Sequence, residues 1–306
     1  MLGSLRHNRS RSGWGWRILL AACCGGPAGA TTGPALPQAV KAAGPLKIVE
    51  ALFEDYDGWP TPRLEVPAGR DVVLNFRMEG FERRSGKDAA GYPQDQVSLR
   101  YQVELRDPKD VLVAPAKHGQ IETTLGPQDD QWRPLVRWSA PVPAWAPSGA
   151  YAIHIQVEDA IGEQRAELTV GFQVRGENIP PADTLQINHP EFARSDDGPW
   201  SSQRSFALRD PVYVRFQIVG FRVSSENKVW VEQDWTVLDA EGKVVISQPE
   251  ALSDQVQNFY PPRFLATNFR LDLKDPKPGS YTLRITLRDR IGDQTASSDS
   301  QFNLRP

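Results

Sequence analysis

The sequence predicts an all-β protein built from one sandwich domain written twice. Two observations carry this. First, the stretch Gly279-Ser-Tyr-Thr-Leu-Arg-Ile-Thr-Leu-Arg-Asp-Arg-Ile-Gly292, running on to Phe302, has an earlier counterpart. That counterpart is Gly149-Ala-Tyr-Ala-Ile-His-Ile-Gln-Val-Glu-Asp-Ala-Ile-Gly162, running on to Phe172. Gly, Tyr, Asp, Ile-Gly and Phe recur at one offset of 130 residues, and each copy reads as strand, tight turn and return strand. Second, 26 Pro and 24 Gly punctuate short runs in which apolar and polar residues alternate, which favours strands and turns over helices. A chain of 306 residues suits two domains of ordinary size, each long enough to bury a core without staples.

Met1 to about Ala30 reads as an export signal. Basic residues end at Arg17, the short apolar run Ile18 to Cys24 follows, and Ala28-Gly-Ala30 offers a small-residue cleavage site. Leu20-Ala-Ala-Cys23 resembles the bacterial lipoprotein box, which implies Cys23 as a lipidated mature N-terminus. Simple cleavage after Ala30 is the alternative. Residues 31–45, rich in Ala, Pro and Gly, read as a flexible tether. Cys23 and Cys24 are the two cysteines of the chain, so neither repeat has an internal disulfide. The formal charge is −3, and loss of the four leader arginines leaves about −7. A mildly acidic chain has no general pull toward nucleic acid or anionic lipid.

The first domain is placed at 46–175. Leu46 to Phe53 opens it as a strand, and Asp55 to Pro60 turns. Val72, Leu74, Phe76 and Met78 then alternate with polar neighbours, as do Val97, Leu99, Tyr101, Val103 and Leu105, each the mark of a half-buried strand. Residues 82–95 between them read as a loop. Asp107-Pro-Lys-Asp110 is a turn, and a long polar stretch leads through Asp129-Asp130 to a strand at Leu135–Ala140. The closing hairpin ends near Val174.

Residues 176–184, with Pro180-Pro181, form a semi-rigid linker to the second domain at 185–306. Val212, Val214, Phe216 and Ile218, ending in Gly220-Phe221, match the first domain at an offset of 140. Val229, Val231, Trp235 and Val237 match at 132, with Gln233 where Tyr101 stood, either in a bulge or buried and in need of a partner. The drift of the offset places length changes in loops and keeps strand spacing. About seven strands per copy, separated by regular turns, resemble immunoglobulin-like or fibronectin-III-like sandwiches. The Pro-Gly-x-Tyr strand followed by Asp-x-Ile-Gly is similar to the last hairpin of many bacterial surface and periplasmic sandwich domains. The resemblance covers residues 45–306 at the level of fold class and implies no activity.

Chemistry-bearing patterns are sparse. His118, His154 and His189 stand apart in sequence, and no nucleophile elbow, phosphate loop or dinucleotide fingerprint occurs. Asp55 and Asp57 before Gly58, and Asp196 and Asp197 before Gly198, offer carboxylates to Ca²⁺ or serve as Asp-Gly turns. Asp159 and Asp289 open equivalent bends, where the side chain bonds the backbone two residues on. Trp132, Trp145, Phe259 and Tyr260 fall in loops or at strand edges and form either a ligand surface or caps on the core.

These readings favour a non-enzymatic, exported bacterial module for binding, adhesion or envelope assembly. Its partner would be a protein or polysaccharide of the cell envelope, and its site the periplasm, outer membrane or cell surface. Carbohydrate binding through the loop aromatics is the alternative. A hydrolase using carboxylates or His118 at the interdomain cleft is a third reading, which a pocket joining His118 or His189 to a carboxylate and a nucleophile would favour.

Overall fold

A computed structural model describes residues 40–41, 44–202 and 204–306; the leader, with Cys23, lies outside them. The first half runs through β1 (Val40–Lys41), β2 (Lys47–Glu54), β3 (Pro60–Thr61), β4 (Glu65–Pro67), β5 (Asp71–Glu79), β6 (Arg83–Lys87), β7 (Pro93–Arg106), β8 (Lys117–Leu125), β9 (Leu135–Pro141), β10 (Gly149–Asp159) and β11 (Gln164–Arg175). The second runs through β12 (Gln186–Ala193), β13 (Ser205–Ala207), β14 (Val212–Val219), β15 (Lys228–Leu238), β16 (Val244–Gln257), β17 (Leu265–Leu271), β18 (Gly279–Asp289) and β19 (Gln294–Arg305).

Each half is a pair of sheets with one wiring. β2-β5-β9 in the first half corresponds to β12-β14-β17 in the second. The facing sheet, β4-β11-β10-β7-β8, corresponds to β13-β19-β18-β15-β16. Pairing is antiparallel except where β4 meets β11 and β13 meets β19 in parallel. This is an immunoglobulin-like arrangement. The alternating rows supply the cores. Leu74, Phe76 and Met78 face Leu99, Val103, Ile153 and Ile155 in one, and Val214, Phe216 and Ile218 face Val231, Leu283, Ile285 and Leu287 in the other.

The duplicated residues pin the sandwich at both ends. The Tyr151 hydroxyl donates to the Pro147 carbonyl at 3.0 Å, and Tyr281 to the Lys277 carbonyl at 2.9 Å, a tyrosine corner in each copy. At the other end of the same strand the carboxylate of Asp159 is buried, and it accepts from the backbone N–H of Glu82 and Ile161. Asp289 accepts from Arg222, Ile291 and Gly292. One side chain thereby ties the closing hairpin to the corner after β5 or β14. Gly80 and Gly220 stand in that corner with φ near +79° and +73°. A Cβ there would lie 2.2 Å from the Pro45 oxygen or 1.8 Å from the Thr184 oxygen, so a side chain is excluded.

Three stretches differ from the sequence reading. Residues 82–95 are not a loop but a hairpin of β6 and the start of β7, turning at Asp88–Tyr92 on bonds to the Asp88 carboxylate. The polar stretch after Val113 contains β8, and the stretch after Gly242 contains the fourteen-residue β16. β8 and β16 are edge strands and β6 is flanked on its outer side only by the two-residue β1; all three are mostly polar with few buried residues, so no apolar row marks them.

Gln233 combines both readings offered for it. The register slips between Gln233 and Trp235, and the side chain is fully buried, donating to Asp254 and Thr267. The same slip bulges β16 at Pro249-Glu250. With Asp254 turned inward and its carboxyl pushed up by burial, this blunts the edge against pairing with another strand.

Asp289→Ala removes the acceptor for three backbone donors. It should destabilise the second sandwich by about 3 kcal/mol, read as a lower denaturant midpoint.

Candidate functional site

The four loop aromatics do not gather on one surface. Two of them build the contact between the sandwiches. Tyr260, in the loop before β17, is buried and counts among the core of the first sandwich rather than its own. Its phenol donates to Asp107 Oδ2 at 2.8 Å, and its backbone oxygen accepts from the Trp145 indole N–H at 3.3 Å. Nearby, Arg263 donates to the carbonyl of Ile179, a buried residue of the interdomain linker. The linker is thus held at its centre as well as stiffened by its prolines.

Asp107 belongs to the Asp-Pro turn read from sequence. Its Oδ1 accepts from the N–H groups of Lys109 and Val111, which closes that turn. Asp239 closes the equivalent turn of the second copy through the N–H of Lys243. In the first copy the second oxygen has a further use, as the acceptor for Tyr260. Burial pushes the Tyr151 phenol up to about 12, and the Asp107 carboxylate adds to the rise. The Tyr260 phenol is pushed up by burial and by the bond it donates to Asp107.

The other two aromatics lie apart. Phe259 is 49% exposed beside the clamp, its carbonyl held by the Asn227 amide. Trp132 is half-buried, edge-on to Phe81 at 5.9 Å, and lines a depression of about 540 Å³ with Lys47, Glu79, Arg83 and Arg133. The exposed aromatics Tyr56 and Trp59 stand on the tip between β2 and β3.

The acidic turns are used locally. Asp55 Oδ1 accepts from the N–H of Asp57 and Trp59, and Asp196 accepts from the Asn268 amide. Asp57 and Asp197 are exposed on the same turns. Among the described residues no group of three or more His, Cys, Asp or Glu side chains is placed to hold a metal ion.

His118 is exposed on β8 and lines a depression of about 340 Å³ with Arg100, Glu158 and Glu167. The interdomain contact is built from other residues. His154 meets the Thr169 hydroxyl at 3.2 Å on the outer face of the first sandwich. His189 lies in β12, and its side chain is outside the described residues.

Sequence reasoning missed the role of Asp107 and the inward direction of Tyr260. A signal was available. The second copy carries Asn258-Phe-Tyr-Pro-Pro-Arg263 before its fifth main strand, where the first has the polar Gly126-Pro-Gln-Asp-Asp130. Apolar residues confined to the loop of one copy point to a contact that only that copy makes.

No protein-family model matches the chain, and no curated protein matches it. Among the solved structures that align are two of low similarity. The C-terminal domain of the Streptococcus pyogenes antigen I/II-family protein AspA aligns at 10% identity, over 87% of this chain and 100% of that one, with a TM-score of 0.27. The Pseudomonas fluorescens alkylpurine DNA glycosylase AlkC, solved on DNA containing an abasic site analog, aligns at 13% identity over 44% of this chain, with a TM-score of 0.26. The alignment spans about a third (32%) of the AlkC chain. Likenesses of this size carry no argument about function.

Tyr260→Phe leaves Asp107 Oδ2 buried without its donor and should weaken the interdomain contact by about 1–2 kcal/mol. Because burial holds both phenols above their ordinary value of 10, the contact is fully present below that pH. It is lost only in strong alkali, as pH rises through the raised folded-state value of the Tyr260 phenol, which burial and its bond to Asp107 push upward. Calorimetry should show the unfolding of the two sandwiches separating in the variant at neutral pH, and in the parent chain only under alkali.

Proposed function

We propose that the chain is a non-enzymatic, extracytoplasmic module for binding, adhesion or envelope assembly. The observation that carries this reading is the clamp. Tyr260 of the second sandwich enters the core of the first and bonds Asp107 there. Two units fixed in this way present their loop ends and sheet faces in one constant arrangement, so a partner can be engaged by both without an ordering cost at the hinge. In sandwich domains, loop ends of this kind are a common recognition surface. The basic-apolar-small leader supports export, and Cys23 supports a lipid tether.

Carbohydrate binding is the second reading. Trp145 and Tyr260 are spent in the clamp, so it rests on other aromatic surfaces, chief among them the half-buried Trp200, which lines a depression with Arg215, Gln217 and Asn268.

Fractionation of the parent cells is the direct test. The envelope fraction should contain the processed chain, with an acyl group on Cys23, and the mature fragment should retain a protein or polysaccharide from envelope extract. An unprocessed chain confined to the cytosol would overturn the reading.

A further inference from the structure

The second sandwich carries a groove of about 690 Å³ over the outer face of its β12-β14-β17 sheet, walled on one side by Glu177–Ile179 of the linker. Its floor is made of strand residues: Arg215 and Gln217 from β14, Ala266 and Asn268 from β17. Such a floor is rigid, and Ala266 gives it depth. The volume is that of an ordinary small-molecule site.

One wall is the indole of Trp200, half-buried and held from several directions. The Arg215 guanidinium lies over its ring at 4.7 Å, and Arg215 is itself fixed by Glu191 at 2.7 Å. The residue that follows it, Ser201, is tied to Phe192 by a pair of backbone bonds. Gly198, with φ +88°, closes the turn before it; a Cβ there would stand 2.9 Å from Trp200 Cδ1.

The polar groups around this wall are planar amides and carboxylates. The Asn268 amide donates to Asp196, and the Gln217 amide to Glu177. The carbonyl oxygens of both amides accept no hydrogen bond from the described residues, and each carboxylate keeps lone pairs to offer. Three carboxylates, Glu177, Glu191 and Asp196, face one guanidinium, so the groove repels anions. The first sandwich has no such wall. Its Trp59 is 70% exposed, and the corresponding face is closed by Glu54 bonded to Arg137 and Asn75.

We propose that this groove binds a neutral saccharide, the C–H face of one ring packing on Trp200 and its hydroxyls bonding Asn268, Gln217 and the carboxylates. A hydroxyl both donates and accepts, which matches a lining that offers amide carbonyls and carboxylates together with a guanidinium. The assignment rests on the binding-module reading and supplies its ligand class.

The test is titration of the full chain with neutral oligosaccharides of glucose and N-acetylglucosamine, and with an oligogalacturonate as the acidic control. Binding is followed by calorimetry and tryptophan fluorescence. At least one neutral oligosaccharide should bind, with little dependence on salt. Trp200→Ala should weaken it at least about tenfold, Asn268→Ala several-fold, and Trp59→Ala not at all, with thermal melts confirming that each variant is folded. A folded chain that binds none of the neutral sugars, that prefers the acidic one, or that binds equally well as Trp200→Ala overturns the proposal. A silent titration alongside a processed envelope protein that still retains a partner removes the saccharide and leaves the module. Saccharide binding by a chain confined to the cytosol does the reverse.

Discussion

The hydrogen bond from the Tyr260 phenol to Asp107 turns two self-sufficient sandwiches into one body. Each copy has its own apolar centre, its own tyrosine corner and its own buried aspartate. Nothing in that construction requires the copies to touch. The contact exists because one copy carries aromatic residues in this loop and the other has a spare carboxylate oxygen on a turn it already needs. Burying a phenol beside a carboxylate is favourable only when the pair bonds, and here it does, with the Trp145 indole satisfying the adjacent carbonyl. The linker follows the same logic, since its Ile179 is buried and its carbonyl is taken by Arg263.

The duplication separates what builds the fold from what distinguishes the copies. Shared residues are structural: Tyr151 and Tyr281, Asp159 and Asp289, Gly80 and Gly220. Gln164 and Gln294 belong with them, each side chain accepting from the backbone N–H that starts its domain, at Leu46 and Leu185. Divergent residues are where the surfaces differ. Tyr260 has no counterpart in the first copy, and the face that Glu54 and Arg137 close in the first is an open groove in the second.

Much of this fold was legible because period-two alternation and a repeated hairpin both report burial on one face. Val72 to Met78 and Tyr151 to Val157 alternate because their strands have a core on one side and water on the other. β6, β8 and β16 were illegible for the converse reason. They lie at or next to a sheet edge with little buried surface, and they pair along β7 and β15, whose own rows are marked by burial. Pro249 lies within β16 and is tolerated there because the edge bulges at that point.

The candidate site was less legible. Tyr260 sits between Asn258 and Pro261-Pro262, a context that reads as an exposed loop, and only the neighbouring domain makes it internal. Trp200 follows the Asp196-Asp-Gly198 turn as Trp59 follows Asp57-Gly58, but its groove depends on Arg215, Asn268 and Glu177, which come from three separate segments. The central claim, that the clamp makes one rigid body of the two sandwiches, is tested most directly by residual dipolar couplings. Both sandwiches should fit a single alignment tensor in the parent chain, and two distinct tensors after Tyr260→Ala. Two tensors in the parent chain would contradict it.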